Sequence, residues 1–137
     1  MSKITVFARI EEMDRVFGFI EDKLEELSLS TKLKAQINIA VDEIFANIVN
    51  YAYPNSDGEV EVDIEFDVQE ERTICICFMD SGIPFNPFDT KEPDITLAAE
   101  ERQIGGLGFY MVKKSMDNVM YEYRDGKNKL IIMKCVI

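Results

Sequence analysis

The chain has 137 residues, 47% hydrophobic and 30% charged, with a formal net charge of −11. That balance excludes a disordered chain and fits one globular domain with a real core. The acidic excess argues against a nucleic-acid or anionic-membrane surface, and no apolar run approaches the roughly 18 residues of a membrane-spanning helix.

The opening segment MSKITVFARIEE carries no apolar signal-peptide core. Three cysteines and no histidine give neither a disulfide pattern nor a zinc-ligand set, so buried, reduced cysteines in a cytoplasmic protein are expected. Residues 4–8, ITVFA, read as a short strand. From residue 9 to 27 the apolar positions are Ile10, Met13, Val16, Phe17, Ile20, Leu24 and Leu27, whose steps of three and four predict an amphipathic helix. Phe19 falls off that stripe, as ordinary surface or as a protein contact. LSLSTK then breaks the pattern and supplies caps. A second helix is expected over 31–53, stopped by Pro54 and the turn-rich PNSDG.

EVEVDIEFDV alternates strictly. Val60, Val62, Ile64, Phe66 and Val68 fall on one side; Glu61, Asp63, Glu65 and Asp67 fall on the other. One face core and one face water predicts an antiparallel sheet covered by helices on a single side. TICICFMD is apolar on both faces and therefore more central. Between residues 81 and 106 the pattern lapses, with three prolines, three glycines and only a short helix expected around 95–101. So irregular a stretch in a compact domain is usually functional. A third helix over 107–116, the strand VMYEYR, an Asp125-Gly126 hairpin signal and NKLIIMKCVI close the chain. The order β-α-α-β-β-loop-α-β-β predicts an α+β fold: a two-layer α/β sandwich over residues 1–137, mostly antiparallel, with helices on one face.

Three places carry polar chemistry. On the second helix Ile37, Ile39, Ala40, Val41, Ile44, Phe45, Ile48 and Val49 cover most of the circumference, as in a largely buried helix. Glu43, Asn47 and Asn50 lie in one narrow stripe of it. Carboxylate and carboxamide are hard oxygen donors suited to Mg²⁺ beside phosphate, and a glutamate there can act as a base; a solvated stripe is the plainer alternative. Asp80 ends the central strand and is followed by Ser81-Gly82. An acceptor-only group there can take a hydrogen bond from an exocyclic amine, Gly82 leaves room for a flat ring, and Phe85 and Phe88 are placed to line a slot; Asp-Ser-Gly is equally a common turn. GGLGFYMVKKSMD, finally, puts Gly105, Gly106 and Gly108 at the start of the third helix, where backbone N–H groups can meet phosphate or simply turn the chain. Met111, Val112 and Met116 are its expected apolar face.

In combination these segments resemble the N, G1 and G2 boxes of the GHKL ATPases, and within them the anti-sigma-factor serine kinases of the RsbW and SpoIIAB type. AVDEIFANIVNYAYP, DSGIPFNP and GGLGFYMVKKSMDNVMYEY carry the likeness, which covers essentially the whole chain. The resemblance implies a Bergerat-type ATP-binding fold. Asn47 would hold Mg²⁺ and Glu43 would be the general base. Asp80 would bind the adenine amine, with Gly82 and Phe85 beside the ring and Asn50 nearby. Gly105, Gly106, Leu107 and Gly108 would close a lid over phosphate, the lid spanning about 88–106. The family's usual histidine falls at Tyr51. A late-strand threonine beside adenine falls at Ile131, and an arginine that assists transfer falls near Arg102. ATP and Mg²⁺ are the implied cofactors. The implied partners are a STAS-type anti-sigma-factor antagonist and a sigma factor or similar target. A homodimer through the first strand and helix is also implied. Two functions follow: a serine kinase that phosphorylates the antagonist, or an ATP-gated binding module that transfers nothing. With no histidine, a histidine kinase is disfavoured.

Overall fold

Strict alternation at 60–68 becomes an extended strand because only a pleated backbone puts all five apolar side chains on one face. In the computed structural model, which describes residues 1–52, 60–70, 72–89 and 106–136, that strand is β2 (Glu61–Gln69). It lies between β1 (Ser2–Phe7) and β3 (Thr73–Asp80), and the hairpin of β4 (Asn118–Arg124) and β5 (Lys127–Cys135) completes the sheet. The order is β1-β2-β3-β5-β4, antiparallel throughout. β3 is the central strand, as its two apolar faces predict. One row of the register runs Val62, Asp80, Asn128, Tyr123 across four strands, so these four side chains share a face.

That face is the core face. Val62, Ile64, Ile74, Ile76, Phe78 and Ile132 are buried on it. Over it lie α1 (Met13–Glu25), α2 (Thr31–Asn47) and α3 (Gly106–Ser115). α1 contributes Val16, Ile20 and Leu24; α2 contributes Ile37, Val41, Ile44 and Phe45; α3 contributes Phe109 and Val112, with Met116 just beyond its end. Each such side chain contributes about 1.5–3 kcal/mol on burial. Ser30 caps α2, its Oγ accepting the N–H of Leu33 at 3.2 Å. At the far end of α3, Lys134 of β5 donates to the Ser115 carbonyl at 2.6 Å and satisfies a terminal acceptor.

Several expectations are corrected. Ile10 sits in a 3₁₀ turn (Ile10–Glu12) ahead of α1 and is exposed. Ile39 is 56% exposed, so α2 is not buried all round. It stands two residues from Ile37, about 200° around the helix and therefore opposite the sheet. Met111 is exposed for the same kind of reason: Phe109 and Val112, three apart, take the inward stripe. Phe19 is partly buried against the chain's own core. Cys77 is buried, but Cys75 is intermediate and Cys135 exposed; all three lie on the outer face of the sheet, in the phase opposite to Ile74, Ile76 and Ile132. The α-helical part of the second helix ends at Asn47 and continues as a π turn, Ile48–Ala52. Tyr53, PNSDG, the short helix at 95–101, Arg102, Gly105 and most of the lid lie outside the described residues.

Candidate functional site

Asp80 is held where the ladder stops. It pairs with Val62 on one side and Asn128 on the other, and it is only 4% exposed. A buried carboxylate needs hydrogen bonds. Its Oδ1 takes two, from the N–H of Gly82 at 2.9 Å and from Nδ2 of Asn128 at 3.0 Å. The first folds Asp-Ser-Gly into a side-chain-closed turn and pins the chain at Gly82. Among the described residues nothing donates to Oδ2.

Asn128 joins the loop after β3 to the sheet. Nδ2 also donates to the Ile83 carbonyl at 2.8 Å, while Oδ1 accepts the N–H of Phe85 at 3.0 Å and the hydroxyl of Tyr121 at 2.5 Å. With the loop so pinned, the ring of Phe85 stacks on Tyr51, centroids 5.2 Å apart and planes 20° from parallel. Tyr51 gets there because it belongs to the π turn that ends the second helix.

These elements line a slot between the helices and the sheet. Ile44, Phe85, Phe109 and Leu130 give it apolar walls, and Asn47 and Asp80 are among its few polar groups. Asn47 is 9% exposed and hydrogen-bonds the Glu43 carboxylate one turn earlier. Burial pushes the Glu43 carboxyl above its ordinary value, the neighbouring Asp42 charge adds to the rise, and the Asn47 hydrogen bond opposes it. Gly106, Leu107 and Gly108 form the first turn of α3, directly before Phe109, which lines the slot.

The structure thus brings together Glu43, Asn47, Asp80, Gly82 and Phe85, with the start of α3 alongside. Asn50 is exposed: the π turn carries it out of the stripe that a continuous α-helix would give. Phe88 does not line the slot; it packs edge-on against Phe109, centroids 5.3 Å apart. Ile131 is not beside Asp80 either. It pairs with Cys77 on the outer face, whereas Asn128 opposes Asp80. The alternation of the strand carried the signal for Asn128: in the inward phase Asn128, Leu130, Ile132, Lys134 it is the buried polar residue. Tyr121 and Phe109 are further slot residues that pattern alone did not single out.

Chemically the slot suits a flat heteroaromatic ring carrying an amine, gripped between apolar walls with Asp80 Oδ2 as acceptor. Asn47 and Glu43 offer hard oxygens at the other side. No group of three or more Asp, Glu, Cys or His that could hold a metal occurs among the described residues. No described helix is long and apolar enough to cross a membrane.

The model of the histidine kinase-like ATPase domain family matches residues 6–134. The chain is similar to the anti-sigma F factor of Clostridium acetobutylicum, at 26% identity over 97% of the chain and 81% of the relative. It is 25% identical to the serine/threonine-protein kinase BtrW of Bordetella bronchiseptica, over 80% of the chain and 78% of the relative. It is 34% identical to the serine-protein kinase RsbW of Bacillus pumilus, over 80% of the chain and 64% of that protein. In structure it is similar to the RsbU and RsbW domains of a Mycobacterium tuberculosis protein, with a TM-score of 0.63 at 13% identity, over 98% of the chain and 32% of the other; this likeness speaks for the fold alone.

Proposed function

The chain belongs to the histidine kinase-like ATPase domain family, and from that premise we propose that it is a cytoplasmic, ATP-dependent serine protein kinase of the anti-sigma-factor kind. It phosphorylates a serine of a STAS-type antagonist and sequesters a sigma factor or similar target. The carrying observation is the slot itself, with Asp80 Oδ2 unspent among the described residues and Asn47, bonded to Glu43, on its wall.

Asp80 Oδ2 accepts the adenine amine, and Gly82 and Phe85 border the ring. Glu43 takes the proton from the partner's serine Oγ. Oγ then bonds to the γ-phosphorus as the bond to the β-phosphate oxygen breaks, and ADP leaves. The raised affinity of Glu43 for protons suits this duty, since a base works best with a pKa closer to neutrality. Asn47 would hold Mg²⁺, which when bound neutralises phosphate charge. Gly106 and Gly108 put bare backbone at the N-terminus of α3, where phosphate is favoured.

A homodimer is part of the reading, and β1 is the strand for it. Ala8 donates to the Val60 carbonyl at 2.7 Å, so the even-numbered residues of β1 point their N–H groups at β2 and the odd-numbered ones point outward. Glu12 covers the outward N–H of Phe7 at 3.2 Å; Lys3 and Thr5 offer theirs to a second copy.

Transfer is tested with γ-labelled ATP and the cognate antagonist. Label on an antagonist serine is the expected result. Tight ATP binding with no label on any serine would overturn the kinase and leave an ATP-gated binding module.

A further inference from the structure

We propose that Asn128 is the positioning residue that makes the slot selective for 6-aminopurines over 6-oxopurines. This rests on the nucleotide reading given above.

Asn128 has two N–H donors and two acceptor positions on its oxygen. All four are spent within the protein: on Asp80 Oδ1, the Ile83 carbonyl, the Phe85 N–H and the Tyr121 hydroxyl. The orientation of the amide is forced, because exchanging its O and N would set donor against donor at Phe85 and acceptor against acceptor at Ile83 and Asp80. At 5% exposure the group is out of reach of solvent. It therefore offers no hydrogen bond to a base and acts only through what it holds.

What it holds is Asp80. With Oδ1 fixed by Asn128 and Gly82, the carboxylate cannot turn within its plane, and Oδ2 alone is left for the base. A 6-amino group donates to that oxygen. A 6-oxo group sets acceptor against acceptor there, and leaves a buried carboxylate oxygen unpaired, the situation in which polar sites discriminate most strongly. If Asp80 were free to swing, it could take the N1–H of a 6-oxopurine instead, and discrimination would fall. Asn128 also ties down Ile83 and Phe85, so the ring wall and the acceptor are set by one side chain.

The test titrates the full chain with ATP and with inosine triphosphate, in Mg²⁺, for the wild type and Asn128→Ala. The wild type is expected to prefer ATP strongly. In Asn128→Ala the affinity for ATP should fall about tenfold, as for loss of a charged group's hydrogen-bonding support, with the affinity for inosine triphosphate falling far less, so that the preference shrinks. A merely structural role would lower both affinities together. An unchanged ratio in a folded Asn128→Ala protein overturns the proposal. Should that variant fail to fold, Tyr121→Phe removes the hydroxyl that bonds Asn128 Oδ1 and carries the same test, with a smaller shift of the ratio expected and an unchanged ratio again overturning the proposal. A wild type that binds neither nucleotide overturns the nucleotide reading itself, and this inference with it.

Discussion

Glu43 concentrates two opposed demands on one side chain. As the proposed base it must be ionised to accept a proton, yet burial and Asp42 both favour its neutral form. A carboxyl whose folded-state pKa is raised supports the fold fully below its ordinary value and loses that support as pH rises through the raised one. A carboxamide in its place never ionises. Glu43→Gln should therefore melt slightly higher than the wild type at neutral pH, and the difference should vanish below about pH 4, where carboxylates are protonated folded or unfolded. The same variant should lose serine phosphorylation by about 10²–10⁴-fold, the usual worth of a general base, while still binding ATP. Melting curves across pH and a single-turnover transfer assay check the two halves. Glu43, Asn47 and Asp80 were legible in the sequence because each is polar at a place where the apolar pattern is strong. Asn128 obeyed the same logic but was obscured: aligning the strand by family likeness pointed to Ile131, whereas alternation alone puts Asn128 inward and Ile131 outward.

Among the elements, the strands were the most readable. Alternation in β2 and the Asp125-Gly126 turn fix both register and hairpin. Asp125 and Gly126 do take positive φ, 55° and 77°, as a tight two-residue hairpin requires. The second helix was harder, because its apolar run continues past Asn47 and gives no sign that the backbone widens into a π turn. Such turns are common at functional sites, and here the turn is what brings Tyr51 onto Phe85. α3 depends on a distant strand: Lys134 closes its last turn. Lys134→Met keeps most of the aliphatic stem and removes the donor. It should cost about 1 kcal/mol in urea unfolding and speed amide exchange in the last turn of α3 before it affects α2.

At the scale of the whole molecule, the two layers could be inferred from element order and from one-sided strands, because such a sheet must cover its apolar face with helices. The outer face was less predictable. Cys75 and Cys77 sit in a strand with apolar residues on both sides, so composition could not say which side was covered. The outward donors of β1 give the proposed dimer its test. Lys3→Pro removes an outward N–H and spares the bonds to β2. Sedimentation should show the dimer constant weakened about tenfold or more, the order of one lost hydrogen bond, if the two β1 strands pair, with the monomer's circular dichroism unchanged.

The long spans in the sheet also bear on how the protein is made. The Thr5 hydroxyl meets Asp63 across 58 residues, and Asn128 meets Asp80 across 48. A chain that emerges N-terminus first exposes β1 long before β2 exists to receive it. The Asp80 turn must likewise wait for β5 before its carboxylate is held. During synthesis the apolar helices α1 and α2 are therefore out before the sheet they cover, and that interval is when the nascent chain is most open to chaperones and to aggregation.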